Sequence, residues 1–174
     1  MNYEELNKML KEMDKIPFPK IEVRRPNILF TRELYNSYAG SGGELTAITQ
    51  YIYENIAYEN RQNIANLLLA VAIQEMRHLK TLGGILVKNG VTPYYIGSKN
   101  DKWCSNNVRY NFQSIEEMLK YNIGTEEEAI REYKRLIERT NNETIRATLE
   151  RIIMDEENHI KVFNGIGKQL RRAF

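Results

Sequence analysis

The 174-residue sequence predicts an all-α protein: a four-helix bundle of two helical hairpins joined by a long crossover, with a short extra N-terminal helix. Three observations predict it. The only prolines are Pro17, Pro19, Pro26 and Pro93, so long helices are allowed through residues 27–92 and 94–174. Apolar residues recur at helical spacing on both sides of one irregular stretch, residues 90–112. Two parts of the chain also carry the same residues in the same helical register.

Taken in order, Tyr3, Leu6, Leu10 and Met13 mark a short amphipathic helix over residues 3–14. Ile16 to Pro26 reads as an extended connector, because each proline pushes its predecessor out of the helical region. Thr31 is the expected N-cap of a helical pattern that runs to about Tyr58. A second spans 60–89 and stops at Asn89-Gly90. Residues 90–112 hold Gly90, Pro93, Gly97 and the aromatics Tyr94, Tyr95, Trp103, Tyr110 and Phe112. They read as a crossover that packs with its own aromatics, of a length that is usually functional or topologically required. Ser114 to Glu117, S-I-E-E, has the form of a capping box that opens a third helix over 114–139. Thr140 to Asn142 makes a tight turn, and a fourth helix covers 142–170. Short turns make neighbours antiparallel, and the long crossover starts both hairpins from the same end; this is the ferritin-like form of the four-helix bundle. The expected division is 1–30, N-terminal helix and connector, and 31–174, the bundle.

Composition excludes several classes. Apolar residues make up 42% and charged residues 28%, an ordinary soluble balance. A net charge of +2 gives no basis for nucleic-acid binding. No apolar run is long enough for a transmembrane helix. The first ten residues lack the apolar core of a signal peptide, so a cytoplasmic address is the expectation. The single cysteine, Cys104, rules out an internal disulfide or a thiolate knuckle and reads as a packing or surface thiol.

A glycine cluster, Gly40, Gly42 and Gly43, precedes Glu44. A phosphate-binding loop would need a preceding strand and a nearby lysine. The context here is helical, which places Glu44 inside a helix. Helical glycines cost about 1 kcal/mol each against alanine. The expected compensation is close approach, of a neighbouring backbone, the crossover or a small oxidant; a local bulge is the rival account.

The internal match sharpens the site. Glu44, Ala47, Ile48 and Tyr51 align with Glu126, Ala129, Ile130 and Tyr133, 82 positions later. Leu68, Val71, Glu75, His78 and Leu82 align in the same way with Leu149, Ile152, Glu156, His159 and Phe163, 81 positions later. The chain has two histidines, and each follows a glutamate by three: E-M-R-H (Glu75, His78) and E-E-N-H (Glu156, His159). Such a pair projects from one side of a helix, and here that side is apolar. A lone E-x-x-H is more often an ordinary structural pair; two of them, in matched registers with two matched glutamates, are not. Unpartnered carboxylates in an apolar core would protonate or destabilise the fold. Two divalent cations remove the conflict, since four carboxylates balance them with both histidines neutral. One Glu from each of two helices and one Glu-x-x-His from each of the other two is the ligand set of di-iron and di-manganese bundles.

The metal-ligand candidates are therefore Glu44, Glu75, His78, Glu126, Glu156 and His159. Glu126 is preferred to Glu127 and Glu128, which sit about 100° and 200° around the helix. Tyr51 and Tyr133, two turns beyond Glu44 and Glu126 on the same faces, are read either as core aromatics or as hydrogen-bond donors to a metal ligand or bound oxygen. Met76 reads as packing rather than as a haem ligand, and no haem is expected.

On these residues the sequence resembles the ferritin-like superfamily, especially its rubrerythrin and manganese-catalase branch, over about residues 31–170. The resemblance implies two iron or manganese ions per chain, bridged by the E-x-x-H glutamates. It implies reaction with peroxide or dioxygen, or oxidation of ferrous iron, and a homo-oligomer of two or more chains. Two departures stand out. No thiolate pair is present to build a rubredoxin domain, so electrons would come from a separate donor. Rubrerythrins also tend to carry a further glutamate one turn along the third helix, where this chain has Ala129. The six-ligand set looks closer to bacterioferritin or manganese catalase. The alternatives are a ferroxidase or iron-handling protein, and a coat or assembly protein that keeps a metal site.

Overall fold

The structure, a computed structural model, describes residues 1–172. Six α-helices follow one another within them: α1 (Tyr3–Met13), α2 (Ile28–Ala39), α3 (Glu44–Ala57), α4 (Gln62–Lys88), α5 (Ile115–Arg139) and α6 (Glu143–Arg172). Helices α3 and α4 form one hairpin, α5 and α6 the other, and α4 lies against α6 where the two meet. This is the expected bundle, with two additional helices rather than one.

The difference lies at the glycines. The expected continuous helix over 31–58 is two helices, and Glu44 is the first residue of α3 rather than an interior one. The bulge account fails too, because the chain leaves the helical region at Gly40 and re-enters after Gly43. The steric reason is specific. A Cβ on Gly40 would lie 2.7 Å from the Asn36 carbonyl oxygen, and one on Gly43 2.7 Å from that of Ser37. The break folds tightly over the end of α2, leaving no room for a Cβ at Gly40 or Gly43. Close approach is thus the compensation, and the approaching backbone is that of the preceding helix. The start of α2 also differs: Asn27, not Thr31, is the N-cap, its side chain accepting from the Phe30 N–H at 3.1 Å. Thr31 is buried one turn in, its hydroxyl donating to the Ile28 carbonyl.

Helix α1 is capped by a reciprocal box between Asn2 and Glu5. Its Leu6 and Leu10 are buried against α4 and α6. Each contributes about 1.5–3 kcal/mol of hydrophobic stabilisation. Helix α6 accommodates Leu6 at Gly165, where a Cβ would come within 2.6 Å of the leucine.

The crossover packs through its own aromatics, which turn mostly onto the bundle helices; within it the Arg109 guanidinium lies over the Phe112 ring. Tyr95 stacks on Tyr38 of α2, Tyr110 meets Tyr53 of α3 edge-on, and Phe112 packs on Tyr121 of α5. The Trp103 indole donates to the Thr46 hydroxyl at 3.0 Å. Ser114 caps α5 as expected, but the box is not closed: the Glu117 carboxylate accepts instead from Gln113 N–H and pairs with Arg109.

The apolar core is in two parts. One cluster gathers Leu10, Tyr51, Leu68, Met118 and Phe163; the other gathers Leu34, Tyr38, Leu82, Tyr133 and Leu149. Between them lies a buried polar layer.

Replacing Gly43 by alanine is expected to destabilise the fold by about 1–3 kcal/mol, because backbone carbonyls must move. Gly42→Ala, whose Cβ meets open space, is the control and leaves stability within about 0.5 kcal/mol. Urea unfolding of the two variants checks this.

Candidate metal centre

The polar layer is built from one or two side chains per bundle helix. α3 supplies Glu44 from its first turn, α4 Glu75 and His78, α5 Glu126, and α6 Glu156 and His159. All six are 4% exposed or less. Glu127 and Glu128 are exposed, as their angular positions on α5 require.

The imidazoles face the same centre from adjacent helices, their ring centroids 5.9 Å apart. His78 Nδ1 lies 2.8 Å from Glu75 Oε2, 3.3 Å from Glu156 Oε1 and 3.7 Å from Glu44 Oε2. His159 Nδ1 lies 2.9 Å from Glu75 Oε1, 2.9 Å from Glu156 Oε2 and 3.6 Å from Glu126 Oε1. Two donor groups result, Glu44–Glu75–His78–Glu156 and Glu75–Glu126–Glu156–His159, each with its ligand atoms within 4.8 Å of one another. Glu75 and Glu156 give one oxygen to each group. Glu44 and Glu126 belong to one group apiece.

The electrostatics of this layer are strained without cations. Burial and the neighbouring Glu75 carboxylate push Glu44 well above the usual carboxylate range. Burial and Glu75 likewise push Glu126 up to about 8. Burial disfavours charge on both imidazoles, but Glu156 and Glu75 outweigh it at His78, and Glu75 does so at His159, so both are held well above the usual histidine value. Glu75 is buried too, yet His159 and His78 hold it well below its usual value. Glu75 Oε1, Glu156 Oε2 and His159 Nδ1 are buried without a hydrogen-bond partner. Orphaned ligand atoms on three different side chains, all directed at one centre, are what a pair of bound cations would satisfy. Oxygen-rich groups with one imidazole each suit iron or manganese better than zinc or copper.

The two tyrosines are 1% exposed, and their hydroxyls cross the bundle. Tyr51 donates to Glu126 Oε1 and Tyr133 to Glu44 Oε1, so each half of the chain holds the other half's single glutamate. Behind the histidines stand two residues that motif reading did not single out. His78 Nε2 lies 3.0 Å from Asp155 Oδ2, and His159 Nε2 lies 2.8 Å from Gln74 Oε1. Each directly precedes the glutamate of an E-x-x-H motif, which was the available signal.

A cavity of about 570 Å³ opens between α3 and α5. The glycine break and Ala129 wall it, and Glu44, Glu126 and Glu156 reach its inner end. Among the described residues no helix is long and apolar enough to cross a membrane.

Comparison with known proteins agrees with this architecture. The family model described as Rubrerythrin matches residues 37–167. The chain is 22% identical over 165 residues to a probable manganese catalase of Clostridium acetobutylicum, covering 83% of this chain and 72% of that protein. Among solved structures it resembles KatB, a manganese catalase from Anabaena, with a TM-score of 0.79 and 24% identity over 90% of this chain and 78% of that one. It also resembles the bacterioferritin BfrA of Mycobacterium tuberculosis, with a TM-score of 0.71 and 22% identity over 85% and 89%.

One further buried carboxylate lies outside both donor groups. Glu54, fully buried on α3, accepts from the Gln50 amide at 2.8 Å and the Asn122 amide at 2.6 Å. The position 82 residues later is Leu136, so the internal match gave no signal for it. Burial pushes Glu54 up to about 8, against the two amide donors. The folded chain therefore keeps a proton that the unfolded chain loses near its ordinary carboxylate pKa. Stability falls as pH rises through that window and levels off above about 8. Glu54→Gln removes this slope, at most about 1.4 kcal/mol per pH unit. Asn122 Oδ1 has no partner and can turn to accept from the new amide. Urea unfolding at pH 5, 6.5 and 8 is expected to show the variant gaining on the wild type at each step.

Proposed function

The chain belongs to the rubrerythrin family, and on that premise and the paired donor groups we propose a dinuclear iron or manganese oxidoreductase acting on hydrogen peroxide or dioxygen. The observation that carries the reading is the sharing of Glu75 and Glu156 between two groups that each end in one imidazole. In this reading Glu75 and Glu156 would each serve both ions, Glu44 and His78 would hold one, and Glu126 and His159 the other. The metal pair, when bound, supplies the two-electron redox chemistry that peroxide requires.

The chain's own residues prepare the site for that chemistry. Tyr133 fixes Glu44 Oε1 and leaves Oε2 to face His78, while Tyr51 holds Glu126 by Oε1, the same oxygen that faces His159. The apolar clusters above and below the layer keep bulk water off the ligands. The cavity gives a small neutral oxidant a route to the carboxylate side, past Ala129 where a larger residue would narrow it. In catalase use, two peroxides give two waters and dioxygen. In peroxidase use, one peroxide takes two electrons and two protons from a separate donor and gives two waters. The relative and neighbour described as manganese catalases favour the first. A ferroxidase reading has its own support: Asp101, Glu128 and Glu132 line the cavity and would draw a cation inward.

Anaerobic loading with Mn²⁺ or Fe²⁺ followed by peroxide assays tests the proposal. Two ions per chain are expected, with oxygen evolution in the absence of reductant for a catalase and consumption only with reductant for a peroxidase. Glu156→Ala is expected to lose both ions and at least about 100-fold of the activity; Glu44→Ala weakens one ion. The reading is wrong if the anaerobically purified protein holds neither metal and Glu75→Ala and His78→Ala leave its metal content unchanged. Many irons per chain in a high-mass assembly would replace it with the ferroxidase reading.

A further inference from the structure

The last turn of α1 and the start of the connector lie against the side of the site where α4 meets α6. There the backbone and side chains of Leu10–Phe18 contact what stands behind the histidines.

On the His159 side, Gln74 Nε2 donates to the Leu10 carbonyl at 3.0 Å and to Asp14 Oδ1 at 2.8 Å. Both partners are acceptors only, so the amide of Gln74 cannot turn over without setting oxygen against oxygen. Its Oε1 must therefore face His159 Nε2, at 2.8 Å, as an acceptor. In the neutral ring that a bound cation requires, this places the ring hydrogen on Nε2 and leaves the Nδ1 lone pair directed toward Glu75 and Glu156. Asp14 is itself held by Arg77.

On the His78 side the same segment acts through a cation. Arg151 Nη2 donates to the carbonyls of Met13 at 2.8 Å and Ile16 at 3.2 Å. Its Nη1 lies 2.7 Å from Asp155 Oδ2, the oxygen that takes the His78 Nε2 hydrogen. Phe18 closes the assembly, edge-on to the His78 ring and beneath the Arg151 guanidinium.

We propose that Leu10–Phe18 is a working part of the metal centre, a clasp that fixes the orientation and tautomer of both histidines, His159 through Gln74 and His78 through Arg151 and Asp155. It follows that the two metal positions are not equivalent. Gln74 and Asp155 occupy matching places, 81 positions apart, yet one is a neutral amide and the other a carboxylate. The clasp explains the difference. A carboxylate at 74 would face the Leu10 carbonyl and the Asp14 carboxylate with no hydrogen to offer. At 155 a carboxylate is matched by Arg151. His78 is consequently the more electron-rich ligand. Asp14 and Gln74 are positioning residues in this scheme.

The inference rests on the metal reading, and the experiment separates the two. The probe is Zn²⁺, which is diamagnetic, bound to the full chain with ¹⁵N-labelled histidine. The chain has two histidines, so each ring gives its own signals. Both rings are expected to show a slowly exchanging Nε2–H. In Asp14→Ala the His159 signal shifts and exchanges faster, one of two Zn²⁺ sites weakens about tenfold against a competing chelator, and the His78 signal stays. Asp14→Asn keeps an acceptor oxygen and restores the wild-type pattern. Asp14 is partly exposed, so these variants test positioning without emptying the core. If Asp14→Ala leaves both rings and both affinities unchanged while the wild type takes two Zn²⁺, or disturbs both rings equally, the clasp is overturned and the metal reading stands. A wild type that takes up no Zn²⁺, Mn²⁺ or Fe²⁺ overturns both; if it takes up Mn²⁺ alone, the same chelator competition is read with Mn²⁺.

Discussion

Four carboxylates and two imidazoles are buried together in the middle of the bundle, and the rest of the structure is arranged around that fact. Burial, with the neighbouring Glu75 carboxylate, pushes Glu44 and Glu126 above the usual carboxylate range. The layer cannot be replaced by apolar packing without losing its donor atoms, so the core is divided instead. One apolar cluster forms toward the α3–α4 turn and one toward α2 and the α5–α6 turn, each complete enough to hold its end of the bundle. The fold's stability is thus carried by regions that do not include the site, leaving the site free to hold unsatisfied atoms that an apolar core could not tolerate.

The two faces of the layer are treated differently. Where α3 faces α5, small residues and the glycine break leave an open cavity. Where α4 meets α6, Gln74, Arg151 and Asp155 stand behind the histidines, and α1 with its connector lies against them around a smaller cavity of about 140 Å³. Glu44, Glu126 and Glu156 reach the open side, and Gln74 and Asp155 stand behind the imidazoles on the other. The α4–α6 side holds the groups whose tautomer must be set, and hydrogen bonds to the buried Gln74 and Asp155 side chains set it. The open side holds groups that accept equally well from either oxygen and can exchange partners as a small molecule enters.

What the sequence disclosed follows the same division. The bundle helices and their inward faces were legible because apolar periodicity and cap residues are local signals. Glu126 could be separated from Glu127 and Glu128 by angle alone, and in the fold it alone of the three is buried. The break between α2 and α3 was not legible. The periodicity continues across it, and only the carbonyls of Asn36 and Ser37, brought close by the folded turn, forbid side chains there. Asn27 was passed over as a cap for Thr31 because both residue types cap, and the choice depends on where the connector releases the chain. Glu54 was invisible because its partners Gln50 and Asn122 come from different hairpins. The roles of Asp14 and Arg151 depend on backbone carbonyls of a segment far away in sequence, which no motif encodes.

The matched halves of the sequence would by themselves build a site with two-fold character, as the reciprocal tyrosine–glutamate bonds do. An N-terminal segment present once cannot lie symmetrically over such a site. Its end at Leu10 and Asp14 presents acceptors to α4, and its carbonyls at Met13 and Ile16 present acceptors to α6. Acceptors on both sides demand donors on both sides. α4 answers with a neutral amide that passes an oxygen to His159. α6 answers with a guanidinium, and a guanidinium in a buried place needs an anion beside it. Asp155 is that anion, and His78 is where its remaining hydrogen-bonding capacity goes. The asymmetry at the centre of the bundle is therefore a consequence of how one short helix was fitted to its outside.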